Sequence, residues 1–326
     1  MKVKEFSNYR APRRRPWLPV VVFVLVVLAV IGFVRRPRRV VDPTVAEDAV
    51  VAEQDVDVTP AKPARPAAAA RRAPIAAPPS VAFSGDIAVL IAQAEAHRAA
   101  DRLQAARELY QQALALAPDA TIRAQIEQPL GAIHIALIFS PRPMPEKVEY
   151  VIRRGDQLGV IARRHSTTVE LIQRGNGISD PNRIRIGDRL RVFTGDFALV
   201  ANKTRRDMVV YLNGAFFKRY RVGTGVFGKT PVGTFVINEK LVEPSWWPAD
   251  GREVPFGHPD NILGTRWMSI EATGETPRVR GYGIHGTWEP ESIGHEESAG
   301  CLRMINEEVE ELYAYLPIGT PVRIEE

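Results

Sequence analysis

The sequence predicts a multidomain chain: a transmembrane helix, a small α-helical hairpin, a strand-helix-helix-strand (βααβ) module, and a mainly-β domain closed by a C-terminal helix. Three observations predict it. An uncharged apolar run stands near the N-terminus, a Pro/Ala-rich stretch separates it from the rest of the chain, and the apolar period then changes from helical to alternating. At 326 residues, with 45% apolar and 25% charged content, the chain is globular rather than collagen-like or wholly disordered. Its single Cys excludes an intramolecular disulfide and any multi-thiolate zinc or iron-sulfur site.

The first element is the run from Trp17 to Val34, uncharged throughout and just long enough to span a bilayer as a helix. It exceeds the apolar core of a signal peptide and is followed by Arg35, Arg36, Arg38 and Arg39 rather than a small-residue cleavage site. An uncleaved anchor over 17–34 is expected, with residues 1–16 as a cytoplasmic N-terminus. Both flanks are basic, so the positive-inside rule orients the anchor only weakly. Residues 35–83 form a linker whose Pro density favours extended chain and opposes helix or central strand.

Residues 84–140 turn helical. Ala94, His97, Ala106, Tyr110, Ala113 and Pro118 stand where a tetratricopeptide repeat places its small and aromatic packing residues, and the segment resembles one such hairpin. A third helix over about 121–139, interrupted at Pro129 and Gly131, is expected to complete a small bundle. His97 and His134 are lone histidines on helix faces, read as packing or surface residues rather than metal ligands.

The net charge of +5 is unevenly spread. Residues 1–39 hold ten Lys/Arg against one acid, 148–193 hold nine against five, and 196–326 hold 14 against 19. A nucleic-acid protein clusters its cations on its main domain, so no nucleic-acid partner is expected.

Over 148–193 a short strand at Tyr150-Val151-Ile152 ends at the turn Gly155-Asp156. Two helix faces come next (Leu158, Ile161, Ala162; then Val169, Leu171, Ile172), and a strand at Leu190–Val192 closes the module. The Y-V-I-x-x-G-D-x-L element, the Asn176 position and I-x-x-G-x-x-L resemble a LysM domain. That resemblance implies binding of N-acetylglucosamine-containing glycan strands.

From 196 to 326 the pattern alternates with period two, with a hairpin signal at Asn213-Gly214. A closing helix begins near Asn306, read as its N-cap, with Val309, Leu312, Tyr313 and Leu316 along one face. The lone thiol, Cys301, follows Gly300, which permits close approach of a substrate, and precedes Arg303, which shares its face in extended chain and is expected to lower the thiol pKa or bind a carboxylate. A nucleophilic thiol needs a base. His285, at the end of an apolar strand, is preferred over His295 in a Glu-rich loop, which is expected to face solvent; His258 is read as a loop residue, with the pocket rim as its alternative place.

The segments T-P-V-G-T-F (230–235), I-L-G-T-R-W-M (262–268), I-H-G-T (284–287) and S-A-G-C-L-R-M (298–304) together resemble the L,D-transpeptidase catalytic domain of the YkuD family. The resemblance implies a cysteine acyltransferase that needs no cofactor or metal. Cys301 takes an acyl group from a peptidoglycan tetrapeptide stem with release of D-Ala, and His285 is the base. Gly300 and Gly286 support the site and its oxyanion. Ser298 either orients His285 or steadies the turn, and Arg303 either holds a stem carboxylate or ties down the loop. Tyr282 and Trp267 are candidate pocket walls. Many members carry His where this chain has Ala299, so a second supporting imidazole is absent. The alternatives are L,D-carboxypeptidase action, lipoprotein attachment or cleavage, and a non-catalytic wall tether.

Stem peptides lie outside the cytoplasmic membrane, so the C-terminal domains are expected outside it, in the periplasm where the cell has an outer membrane. A topology reporter fused after Glu326 is expected to signal an extracytoplasmic C-terminus, and a cytoplasmic signal would contradict the expectation.

Overall fold

The structure, a computed structural model, describes residues 85–248 and 250–326. The anchor expected over 17–34 and the linker over 35–83 lie outside the described residues. No described helix is long and apolar enough to cross a membrane.

Helices α1 (Gly85–Ala99) and α2 (Leu103–Leu116) pack through small residues. Ala94, Ala106 and Ala113 are wholly buried, and the buried Tyr110 hydroxyl bonds the Glu95 carboxylate. Helix α3 (Ala120–Ile138) starts on the Asp119 carboxylate, which accepts from the Thr121 and Ile122 amides at 2.9 Å each. The interruption expected at Pro129 and Gly131 does not occur, and α3 runs through both. An internal Pro costs about 3 kcal/mol, and here the burial of Leu130, Ile133, Leu137 and Ile138 offsets it.

The next module has strands β1 (Lys147–Val151) and β2 (Arg189–Phe193) around helices α4 (Leu158–Arg164) and α5 (Val169–Asn176). The two strands pair antiparallel, Lys147 opposite Phe193 and Val151 opposite Arg189. A small core of its own gathers Ile152, Leu158, Ile161, Ile172, Leu190 and Val192. Asn176 fastens α5 to β2: its amide nitrogen donates to the Ile172 and Arg191 carbonyls, and its oxygen accepts from the Arg191 amide.

The remaining chain builds an eight-stranded sheet. Its strands are β3 (Phe197–Asn202), β4 (Asp207–Leu212), β5 (Ala215–Arg221), β7 (Gly233–Val242), β8 (Arg266–Ala272), β9 (Gly283–His285), β11 (Leu302–Arg303) and β12 (Pro321–Glu325). They lie in the order β11-β9-β8-β7-β12-β3-β4-β5. Two short strands, β6 (Thr224–Gly225) and β10 (Glu296–Ser298), pair with each other beside it. The β4-β5 turn has positive φ at both Asn213 and Gly214, the conformation that suits a right-twisted hairpin. Helix α6 (Asn306–Tyr315) packs on the sheet through Val309, Leu312 and Tyr315. Of the two tyrosines of this helix, Tyr315 and not Tyr313 is fully buried.

The three helices pack on one another, α1 on α2 and α2 on α3. Their core is continuous with that of the sheet, because α3 lies on β5 at the edge away from β11. The His134 ring stacks on Phe217 at 5.0 Å, and Phe217 meets Phe197 and Tyr315. Glu127 pairs with Arg219 at 2.7 Å, which also holds Asp207. A helical hairpin too small to bury its own face thus covers a sheet face instead.

His134 is 1% exposed, and its Nδ1 donates to the Phe217 carbonyl at 2.7 Å. Burial lowers its pKa to about 4, so the folded ring is neutral. The unfolded ring takes a proton near pH 6.5 and the folded one does not, so stability falls as pH drops from about 6.5 towards 4. Urea midpoints are expected to fall between pH 7 and pH 5, and less steeply in His134→Gln. An unchanged slope in that variant would contradict the assignment.

Candidate active site

The register of four strands builds the site. Leu241 on β7 stands opposite Trp267 on β8, Trp267 opposite His285 on β9, and His285 beside Arg303 on β11. Residues directly paired across strands share a sheet face, so these four side chains form one row. All four line a cavity of about 500 Å³, together with Cys301, Ser298 and Ala299. Cys301, in the turn just before β11 and two residues ahead of Arg303, also lines that cavity.

Cys301 is half-buried, and its thiol donates to the Gly281 carbonyl at 3.6 Å. Burial pushes its pKa up to about 11. The Gly283 amide and the Arg303 charge act in the opposite direction and do not prevail. Arg303 lowers the thiol pKa as expected, and desolvation outweighs its pull. His285 is 2% exposed, and burial lowers its pKa to about 4. Its Nδ1 lies 2.6 Å from the Gly286 carbonyl. A carbonyl only accepts, so Nδ1 carries the proton and Nε2 is the basic nitrogen. No hydrogen bond joins Cys301 to His285; they share the cavity as a neutral thiol and a neutral imidazole.

Ser298 does not orient His285. Its hydroxyl donates to the Cys301 carbonyl at 2.7 Å and accepts from the Gly300 amide at 3.0 Å, closing the turn that presents the thiol. This bond occupies the Gly300 N–H, which removes it as a free oxyanion donor. Gly300 has φ +137°, and a Cβ there would strike the Tyr282 ring. Tyr282 thus supports the turn from behind and does not line the cavity. Gly286 acts sterically too: a Cβ would collide with the Asn306 carboxamide.

Asn306 itself is corrected from helix cap to clamp. Ile305 occupies the cap position without a side-chain bond, while the Asn306 carboxamide accepts from the Thr265 amide at 3.1 Å and donates to the Thr287 carbonyl at 3.0 Å. It ties together the chain entering β8 and the chain leaving β9. Arg303 is 8% exposed and pairs with Glu289 at 3.2 Å, and its buried Nε has no partner. Both roles read from the sequence are open to it, since one end ties the loop and the other is unspent.

Trp267 lies 5.7 Å from the His285 ring and is a cavity wall. His258 is not. It is exposed in the long connection after β7, where its Nδ1 accepts from the Asp260 amide. His295 is exposed as expected. The connection supplies what sequence reasoning missed: Pro244, Ser245, Trp246, Trp247, Ile262 and Leu263 form the opposite wall. Trp246 and Val254 exchange backbone bonds of 2.8 Å, and the buried Asn261 donates to the Pro244 and Val254 carbonyls. Two adjacent tryptophans between prolines, in a stretch joining two strands, were the available signal.

A second cavity, of about 530 Å³, lies in the βααβ module between the start of α4 and the stretch before β2, lined by Asp156, Gln157, Gly159, Pro181, Asn182 and Ile184. No cluster of three or more His, Cys, Asp or Glu among the described residues could hold a metal.

The LysM domain family matches residues 150–193, and the YkuD family, the L,D-transpeptidase catalytic domain, matches 196–324. YqjB of Bacillus subtilis (strain 168), named as an L,D-transpeptidase, is 38% identical over 131 residues, covering 40% of this chain and 72% of its own length. YkuD of the same strain, also so named, is 28% identical over 54% of this chain and 97% of its own. Among solved structures, an L,D-transpeptidase from Mycobacterium smegmatis is 17% identical, with a TM-score of 0.34 over 44% of this chain and 65% of that one.

The neutral resting pair has a kinetic signature. With a thiol pKa of about 11, alkylation of Cys301 by uncharged iodoacetamide is expected to rise ~10-fold per pH unit from 6 to 9 without levelling off. A plateau near pH 7 would show a thiolate already formed in the free protein.

Proposed function

This chain belongs to the L,D-transpeptidase family, and we propose that Cys301 is its acylating nucleophile and His285 its proton carrier. The enzyme is a cysteine transpeptidase of peptidoglycan. The observation that carries the assignment of roles is the shared cavity, lined by His285 on β9 and by Cys301 in the turn that leads into the adjoining β11.

In the first half-reaction the Cys301 sulfur attacks the carbonyl at the L-centre of the third residue of a tetrapeptide stem. The S–C bond forms, the C–N bond to D-Ala breaks, and the thiol proton passes through His285 Nε2 to the departing amine. In the second, the side-chain amine of another stem attacks the thioester, its proton passes to His285, and the thiol is restored. A 3-3 cross-link results, with the energy of the cleaved amide held in the thioester between steps. Because thiol and imidazole both rest neutral, proton transfer accompanies sulfur attack rather than preceding it. With the Gly300 amide engaged by Ser298, the Cys301 amide is the oxyanion donor of the turn.

Water in place of the amine would make the same site an L,D-carboxypeptidase, and a lipoprotein lysine would make it a protein-attaching enzyme. The groove of the LysM module is assigned to N-acetylglucosamine-containing glycan, and the stretch 17–34 to a membrane anchor that leaves both domains outside the cytoplasmic membrane.

Full-length protein in detergent, incubated with tetrapeptide muropeptides, is expected to yield dimers and free D-Ala by mass spectrometry. Cys301→Ala is expected to yield neither, and His285→Gln to lose ~10²–10⁴-fold in rate. D-Ala without dimers would favour hydrolysis, and product from Cys301→Ala would overturn the assignment.

A further inference from the structure

Glu239 is exposed on the wall of the Cys301 cavity, and its carboxylate makes no hydrogen bond or ion pair with any described residue. A β-bulge puts it there. Ile237 faces Ile270 in the core, and without an irregularity Glu239, two residues on, would face the core as well. The register shifts between them, so that Glu239 stands opposite Ser269, on the face that carries Trp267 and His285. The same shift turns Lys240 the other way, where its Nζ donates to the Tyr313 and Leu316 carbonyls at 2.6 Å each. The nearest cation in sequence is therefore spent on the opposite face.

The surroundings of this carboxylate suit a cation. Ser269, its partner across the strands, has a buried hydroxyl with no hydrogen-bond partner. Three tryptophans, Trp246, Trp247 and Trp267, line the same cavity, and Trp247 is 62% exposed. Aromatic faces attract ammonium groups, more strongly where water is partly excluded. The cavity's own cation, Arg303, is already paired with Glu289.

We propose that Glu239, with the tryptophan wall, binds the side-chain ammonium of the third residue of the acyl donor, so that the site selects stems bearing a free diamino-acid side chain. This rests on the acyl-transfer reading above. The ammonium belongs to the donor and not to the attacking acceptor. A carboxylate holds a neighbouring amine in its protonated form, and a protonated amine has no lone pair with which to attack. The amine beside Glu239 is therefore a spectator that positions the stem. Glu239 is a specificity-determining residue.

The test is equilibrium binding to the full-length chain in detergent, with Cys301→Ser to prevent turnover. The probes are tetrapeptide stems carrying meso-diaminopimelate with its side-chain amine free or acetylated. A charge-assisted hydrogen bond is worth enough that acetylation is expected to weaken binding ~10-fold. In Cys301→Ser/Glu239→Gln the two probes are expected to bind within about 2-fold of each other, while Glu239→Asp restores part of the preference. Discrimination that is unchanged by the Glu239→Gln substitution would overturn the proposal, as would equal binding of both probes to the Cys301→Ser protein. The underlying reaction is scored separately on the chain with Cys301 intact. Dimer formation without amine discrimination defeats the Glu239 proposal and leaves the transpeptidase reading standing. Amine-dependent binding without any acyl transfer does the reverse.

Discussion

The register among β7, β8, β9 and β11 is the constraint on which the rest depends. A slip of one residue in any of these pairings would send Leu241, Trp267, His285 or Arg303 to the opposite face of the sheet, because side chains alternate with a period of two. The two outermost strands are short: β9 has three residues and β11 two. Their own ladder bonds are too few to hold them, so side chains and crossing backbone bonds finish the task. Asn306 clamps the segments on either side, and Arg303 and Gly223 exchange backbone bonds of 2.9 Å. The site is precise because a long sheet positions it and a few polar groups fix its end.

The other edge of the sheet is held differently. There α3 covers β5, with His134 stacked on Phe217, with Phe217, Phe197 and Tyr315 in mutual contact, and with Glu127 paired to Arg219. The LysM module joins the same body: the Arg174 guanidinium sits 4.7 Å from the centre of the Phe139 ring, and the Thr168 hydroxyl donates to the Ala314 carbonyl. Helices, LysM module and catalytic sheet are thus in contact through named side chains.

Much of this was legible in the sequence. The βααβ order, the hairpin at Asn213-Gly214 and the grouping of His285, Cys301 and Arg303 follow from alternation, turn residues and the spacing of a recognisable signature. What could not be read depends on partners far along the chain. Asn306 has the residue type of a cap, and only the approach of Thr265 and Thr287 shows that its carboxamide is needed elsewhere. Ser298 and Gly300 were legible as site residues but not as partners of each other. Arg303 carries the right charge to acidify a thiol, but the degree of burial that defeats it is a property of the folded cavity. Trp246, Trp247 and Glu239 were missed because no short motif marks them, and a bulge inverts the face that simple alternation gives.

The chain has one sulfur nucleophile, and its resting form decides how long it lasts. Thiolates attack peroxides and disulfides far faster than thiols do. A Cys301 kept protonated by its own desolvation is therefore sheltered from sulfenylation and mixed-disulfide capture while the cavity waits, and its reactivity is drawn out only as a carbonyl arrives to accept the bond. The burial that raises this pKa keeps the thiolate population of the free protein low.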